Sequence, residues 1–501
     1  MSVNKGAIIE VARSSFRFLV KYPTMDSISV PCVSMPNDKK LHIALFPWLA
    51  FGHMIPYLEL AKLIAQKGHR ISFISTPRNI DRLPKLPPNL APLIDLVKLP
   101  LPHVDNLPDN AEATNDVPLN KVPYLKKAYD ALQDSMTQFL QDSKPDWVLY
   151  DFVPYWLPAI ARKLGIPNAF FSIFIAAMLS YIGPKAYFSE RKNPEDYALP
   201  PKWVPFPTTV AYRFFEVMKI FNGGITCEES NVTDFYRFVE VMDGCDIMVV
   251  RSCMELEPEW LQLQEDLHRK PVIPVGQLPT TVHDSRDNET ETWLWMKEWL
   301  DKQAKSSVVY VAFGSEAKPT QEELTEIALG LEQSKVPFFW VLRTQCGTAD
   351  TGLIELPEGF EERTKGQGVV CTSWAPQLKI LAHDSVGGFL THSGWSSVVE
   401  ALQFERPLII LTFYADQGIN AKLLEEKHIG YLIPRNEQDG SFTRDSVAKS
   451  LRLVIVEEEG KMYRDKAKEM KGLFGDKKSQ DKYLDSFLDY LRTHRRLQNG
   501  I

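Results

Sequence analysis

The chain has no apolar run long enough to cross a bilayer, no basic tract and no cluster of cysteines. Its most apolar stretch, AFFSIFIAAMLSYIG from Ala169 to Gly183, falls short of the roughly 20 residues of a spanning helix and reads as a buried strand and helix. A formal net charge of −7 argues against nucleic acid or an anionic membrane surface as partners. The six cysteines, at positions 32, 227, 245, 253, 346 and 371, show neither metal-ligand spacing nor a disulfide framework. That usage fits a reducing compartment, so a cytoplasmic location is expected and the sequons at Asn231 and Asn288 are read as idle. No G-x-G-x-x-G turn follows the first apolar strand, where PWLAFGH stands instead, which argues against a nicotinamide or flavin oxidoreductase.

At 501 residues the chain is too long for one ordinary core, and two domains of roughly 200 to 250 residues are expected. Hydrophobic content of 44% with 24% charged residues describes a globular protein. Residues 1–40 read as an N-terminal extension. Within Met1 to Pro23, Lys5, Arg13, Arg17 and Lys21 face only Glu10, without the apolar centre of a secretory signal, and Met25 is a usable start. Deleting Met1 to Thr24 is expected to leave activity intact.

From Leu41 onward, strands alternate with helices. HIALF, IPYLELAKLIAQKG with Pro56 in a first-turn position, and RISFIST form one βαβ unit, and WVLYD followed by YWLPAIARKLG repeats the plan. A second series runs through VVYVAF, FFWVL, GVVCT, GGFLT and PLIILTF, separated by segments such as TQEELTEIALGLEQ. Near-continuous apolar strands belong to parallel sheets covered on both faces. The fold class is therefore α/β with two doubly wound parallel-sheet domains, at 41–270 and 296–480. A Pro-, Asp- and Thr-rich linker at 271–295 separates them, and an outer helix covers 481–501.

Open parallel sheets bind ligands beyond the carboxyl ends of their strands. His53 follows the first strand and Asp151 ends WVLYD; in the second series Ser315, Trp374, His392 and Asp416 follow their strands. One half thus offers a base and a carboxylate, the other an aromatic plane and hydrogen-bonding groups. Two such sheets facing across a cleft would unite them.

The stretch HSGWSSVVEALQ, His392 to Gln403, suits a diphosphate. A helix N-terminus presents unpaired N–H groups and partial positive charge. Gly394 allows a close turn, Ser396 and Ser397 add donors, and His392 adds a hydrogen bond or a charge. The spacing of Ser397 and Glu400 also satisfies a capping box, which would merely tie off the helix.

The wider stretch from Trp374 to Gln417, WAPQLKILAHDSVGGFLTHSGWSSVVEALQFERPLIILTFYADQ, closely resembles the signature box of plant UDP-sugar-dependent glycosyltransferases, whose two-domain fold is called GT-B. Trp374, Pro376, Gln377, His383, Gly388, Thr391, His392, Gly394, Trp395, Ser397, Glu400, Pro407, Asp416 and Gln417 all fall in register, and similarity extends from about Leu41 to the C-terminal helix. The resemblance implies that Trp374 stacks on uracil, Gln377 contacts the nucleoside and Glu400 the ribose hydroxyls. It implies that His392, Ser397 and Ser315 hold the diphosphate and that Asp416 and Gln417 bond the donor sugar. Gly394, Trp395 and Ser396 complete the donor-binding set. Three departures stand out: Ser393 for the usual Cys, Ser396 for Asn, and Glu405-Arg406 for Gly-Val.

In FPWLAFGHMIP, His53 occupies the position of the family's catalytic base, and Asp151 in LYDFVP matches its partner carboxylate. A hydroxyl is a poor nucleophile at neutral pH, and imidazole, with an ordinary pKa near 6.5, suits its activation. The sequence lacks the metal-holding Asp-x-Asp pair of many sugar transferases, so no metal and no cofactor are expected; the UDP-sugar is a substrate. FPWLAFGH, THSGW and the tail DGSFTRDSVAKSLRLVIVEEEG are similar to the subgroup that extends sugar chains on existing glycosides, soyasaponin rhamnosyltransferase among them. The partners so implied are a UDP-glucose or UDP-rhamnose donor and a small-molecule glycoside acceptor, served by a monomer. Glycosylation of an aglycone and a nucleotide-sugar-binding protein without turnover are the alternatives.

Overall fold

The computed structural model describes residues 40–222, 232–280, 291–314, 319–342 and 355–495. All of the extension but Lys40, and Ser315 with it, lies outside them. Among the described residues, thirteen strands form two sheets. The first has seven: β1 (His42–Phe46), β2 (Arg70–Ser75), β3 (Ile94–Lys98), β4 (Trp147–Tyr150), β5 (Asn168–Ser172), β6 (Ile247–Val250) and β7 (Val272–Pro274), in the order β3-β2-β1-β4-β5-β6-β7. The second has six: β8 (Val308–Ala312), β9 (Phe338–Val341), β10 (Gly368–Cys371), β11 (Val386–Thr391), β12 (Leu408–Ile410) and β13 (Gly430–Leu432), in the order β10-β9-β8-β11-β12-β13. Each neighbouring pair is parallel. Every residue of β4, β5, β6 and β8 is buried, as strands covered by helices on both faces require.

Strand order reverses between β1 and β4 in one sheet and between β8 and β11 in the other. A crevice opens at such a switch point because the loops leave in opposite directions. The chain places its polar loop residues there.

Local details differ from the sequence expectation in three places. The helix after β1 spans Phe51–Gln66, so Pro56 lies inside it and His53 in its first turn. Proline usually starts a helix, but here the backbone N–H groups of His53 and Met54 both donate to the Ala50 carbonyl at 2.9 Å, closing a turn before Pro56 is reached. Second, the expected linker loses its first residues to the sheet: Val272–Pro274 pairs with β6 as an edge strand, where proline's missing donor is tolerated. Third, the last helix spans Lys477–Thr493 and packs on the first half of the chain. Asp476 caps it, Trp147 Nε1 donates to the Leu491 carbonyl at 3.0 Å, and Gln480 Nε2 donates to the Val275 carbonyl at 2.7 Å. A Cβ on Gly276, at φ +78°, would lie 2.3 Å from Gln480 Oε1, so glycine is what lets the two segments meet. No helix among the described residues is long and apolar enough to cross a membrane.

Candidate active site

The first sheet brings His53 and Asp151 together at its switch point, beyond β1 and β4. His53 Nδ1 lies 2.7 Å from Asp151 Oδ2. Asp151 is fully buried, and its carboxylate also accepts from the backbone N–H of Trp48 (Oδ2, 3.1 Å) and of Phe152 (Oδ1, 2.8 Å). These contacts fix the carboxylate, which holds Nδ1 as the protonated nitrogen and leaves the basic lone pair on Nε2. The rings of Phe152 and Phe174 flank the imidazole, with centroids 5.7 and 5.4 Å away.

At the second switch point, the helix Trp395–Leu402 follows β11 with Gly394 as its N-cap, and no side chain caps it. Ser397 lies within the first turn and Glu400 beyond it, so the capping-box alternative is not realised. The first turn follows the carboxyl end of β11 at the switch point, where a helix start can serve as an anion site.

His392 sits between two glycines: a Cβ on Gly394 would lie 2.5 Å from its Nε2, and one on Gly314 3.0 Å from its Cε1. Its Nδ1 is buried and makes no hydrogen bond among the described residues. Burial pushes the imidazole down to about 4, so at neutral pH this residue offers a hydrogen bond and not a charge. Ser393 turns the chain in the left-handed region at φ +73°. Its carbonyl accepts from Asn420 Nδ2 at 3.1 Å, and Asn420 Nδ2 also donates to Asp416 Oδ2 at 2.6 Å. The loop carrying Asp416 is thereby tied to the helix entrance.

Beyond β10, Trp374 is 63% exposed, an unusual state for so large an apolar ring and a fit for a stacking surface. Gln377 Nε2 donates to Glu400 Oε2 at 2.7 Å and to Ser397 Oγ at 3.3 Å, joining three of the expected nucleotide contacts. Desolvation raises the Glu400 pKa, with the Gln377 bond and the charge of Arg251 opposing it. Gln417 Oε1 accepts from the backbone N–H of Phe413 and Tyr414 at 2.9 and 3.2 Å, so its NH2 group is what it can offer a sugar hydroxyl.

Two side chains of the motif are engaged by the first half of the chain. Trp395 does not present its ring to a ligand: it is 3% exposed, its Nε1 donates to Gln277 Oε1 at 3.1 Å, and its ring lies against Phe474. It binds the two halves to each other. Ser396, expected to add a donor at the helix entrance, also accepts a hydrogen bond at 2.8 Å from Arg251 Nη1, a side chain of the first half that lies outside the sequence motif. Arg251 follows β6 directly, so the strand-end rule that picked out His53 and Asp151 could have found it.

Contacts between the halves are numerous and polar. Glu216 accepts from Thr412 Oγ1 at 2.5 Å, and Thr209 and Arg213 reach Glu426 and Glu437. Glu59, on the helix that carries His53, acts electrostatically on Glu400 of the second half. The helix that carries His53 therefore lies near enough to Glu400 for their charges to interact. Among the described residues no group of three or more His, Cys, Asp or Glu side chains is arranged to hold a metal ion.

A half-buried base held by a buried carboxylate on one sheet, with an exposed aromatic plane and an uncapped helix entrance on the other, suits a transferase of a group carried on a nucleotide. A family model described as UDP-glucoronosyl and UDP-glucosyl transferase matches residues 213–485. UDP-glycosyltransferase 91A1 of Arabidopsis thaliana is 59% identical over 92% of this chain and 98% of that one. Soyasaponin III rhamnosyltransferase of Glycine max is 45% identical over 94% of this chain and 99% of that one. The crystal structure of Glycyrrhiza uralensis UGT73P12 with glycyrrhetinic acid 3-O-monoglucuronide superposes with a TM-score of 0.75 at 24% identity, covering 91% of this chain and 96% of that one. The chain belongs to the UDP-glycosyltransferase family and has its GT-B fold. It is an enzyme that transfers sugar from a UDP-sugar.

Proposed function

We propose that the enzyme performs a direct, inverting transfer of glucose or rhamnose from its UDP-sugar to a hydroxyl of a triterpenoid, steroidal, diterpenoid or flavonoid glycoside, lengthening the sugar chain. The observation that carries the mechanism is the 2.7 Å contact between His53 Nδ1 and Asp151 Oδ2 at the first switch point. His53 Nε2 takes the acceptor hydroxyl's proton as the oxygen attacks the anomeric carbon; the bond from that carbon to the diphosphate oxygen breaks and UDP leaves with the electron pair. Asp151 holds the ring in the working tautomer and balances the imidazolium, as the acid of a hydrolase triad does. Trp374 stacks on uracil, Gln377 and Glu400 hold the nucleoside, and Asp416 with the Gln417 amide holds the sugar. Gly394, Ser396, Ser397, Ser315 and neutral His392 receive the diphosphate, whose charge is met by oriented N–H dipoles.

Phe152 and Phe174 beside His53 support an apolar acceptor next to the base. The soyasaponin rhamnosyltransferase at 45% identity supports a glycoside acceptor and keeps rhamnose beside glucose as donor. The reaction so written requires neither metal nor cofactor and is that of a monomer working in the cytoplasm. Cys245, Cys253 and Cys371 are free thiols, in keeping with that setting.

The test is a mass-spectrometric assay crossing UDP-glucose, UDP-rhamnose, UDP-xylose and UDP-galactose with aglycones and their monoglycosides, for wild type and His53→Ala. The expected result is one added hexose or deoxyhexose on monoglycosides, with turnover lowered about a hundredfold or more in the variant while UDP binding persists. Mass gain on aglycones alone overturns the chain-extension reading; unchanged turnover in His53→Ala overturns the assigned base.

A further inference from the structure

The helix entrance assigned to the diphosphate has a cation behind it. Arg251 is 2% exposed at the carboxyl end of β6, where its backbone N–H donates to the Ser172 carbonyl at 2.9 Å. Its guanidinium is spent on three acceptors: Nε donates to the Gln277 carbonyl at 2.8 Å, Nη2 to the Leu278 carbonyl at 3.4 Å, and Nη1 to Ser396 Oγ at 2.8 Å. No carboxylate among the described residues lies within ion-pair distance; Glu400 and Glu59 act on it only from farther away. Gln277 is used twice, since its side-chain oxygen accepts the Trp395 indole N–H. The segment around Gln277 and the Arg251 side chain thus fasten the first half of the chain to the first two residues of the helix Trp395–Leu402.

This placement is unfavourable for a protein with nothing to bind there. A helix N-terminus is a positive pole, and a buried guanidinium without a direct counter-ion repels it. Both fields are satisfied together by an anion at the entrance. Burial pulls Arg251 to about 10, which leaves it charged at neutral pH, whereas His392 is neutral there. Among the described residues assigned to the diphosphate, none is a cation.

We propose that Arg251 is a positioning residue for the diphosphate: acting through Ser396, it sets the first turn of the helix Trp395–Leu402 and supplies the fixed positive charge that the leaving UDP meets. The proposal rests on the UDP-sugar reading. It also accounts for serine at 396, a short hydroxyl that accepts from the guanidinium while its backbone N–H remains part of the helix entrance.

The experiment is calorimetric titration of the full chain with uridine, UMP and UDP, for wild type, Arg251→Gln, Arg251→Lys, Ser396→Ala and the double variants. Arg251→Gln is expected to weaken UDP at least about tenfold and uridine less than about twofold, a loss that grows with each phosphate. Arg251→Lys keeps the charge without the three-way fork and should retain more of the UDP preference than the glutamine. Because the effect is routed through Ser396, either Arg251 change should matter less in the Ser396→Ala background. Equal losses for uridine and UDP, or full additivity with Ser396→Ala, overturn the proposal. Should Arg251→Gln fail to fold, the Arg251→Lys cycle measures the same coupling. Wild-type protein that does not bind UDP overturns the transferase reading itself, a result distinct from wild type binding UDP while the variants lose all three ligands alike.

Discussion

Replacing Asp151 by asparagine perturbs the catalytic pair at nearly constant volume, and the structure fixes what each orientation of the amide would cost. Asp151 Oδ2 serves both His53 Nδ1 and the Trp48 N–H, while Oδ1 serves the Phe152 N–H. If the amide oxygen takes the Oδ2 position, the NH2 group confronts the Phe152 N–H. If it takes the Oδ1 position, the NH2 group confronts the Trp48 N–H and donates to Nδ1, moving the ring proton to Nε2 and abolishing the base. Either way a buried donor loses its acceptor, which costs about 1–3 kcal/mol of stability. The catalytic loss is larger. An imidazolium and a carboxylate with charge centres about 4 Å apart interact by about 4 kcal/mol at an effective dielectric near 20. Losing that in the transition state lowers turnover by about three decades, at 1.36 kcal/mol per decade. The assay is UDP release at saturating donor and acceptor, paired with calorimetric UDP affinity. Asp151→Asn should lose about a thousandfold in kcat with UDP affinity changed less than about threefold. Turnover within tenfold of wild type, or affinity falling in step with turnover, would refute the assigned role.

Other consequences are as definite. Trp374→Ala removes a ring that is 63% exposed, so thermal stability should hardly move, while affinity for uridine and UDP should fall alike by about 1–3 kcal/mol, read by titration. Trp395→Phe should do the reverse: Gln277 Oε1 loses its donor, costing about 1–3 kcal/mol in a urea melt, with UDP affinity almost unchanged. A His392 pKa near 4, below the ordinary 6.5, means that the unfolded chain takes up this proton first. Its contribution to stability is complete above about pH 6.5 and is lost as pH falls towards 4, by up to about 1.4 kcal/mol per unit. His392→Gln should flatten that part of the pH–stability curve, and an unaltered acid limb would contradict the burial argument.

The strands were legible because β1, β4, β8 and β11 are apolar runs bounded by helical spacing, and parallel sheets bury both faces. Positions of His53, Asp151, Trp374 and His392 followed from the same pattern, since each stands just past a strand. What stayed hidden depends on partners distant in sequence. Trp374 and Trp395 belong to one motif, yet one is open and the other is buried against Gln277 and Phe474, a distinction that composition does not carry. Pro56 signalled a helix start four residues late because the Ala50 carbonyl, not a capping side chain, begins the turn. The return of the last helix to the first sheet is written in Gly276 meeting Gln480, and Arg251 finds Ser396 145 residues away.

The central claim is that His53 of the first sheet faces the anomeric carbon of a UDP-sugar held by the second. A crystal structure with a non-transferable UDP-sugar measures this directly. It should show uracil on Trp374, diphosphate at the Gly394–Ser397 turn, and an anomeric carbon within about 7 Å of His53 Nε2, the sum of a base–hydroxyl hydrogen bond and an attack distance. A sugar turned away from His53, or a nucleotide seated elsewhere, would contradict it.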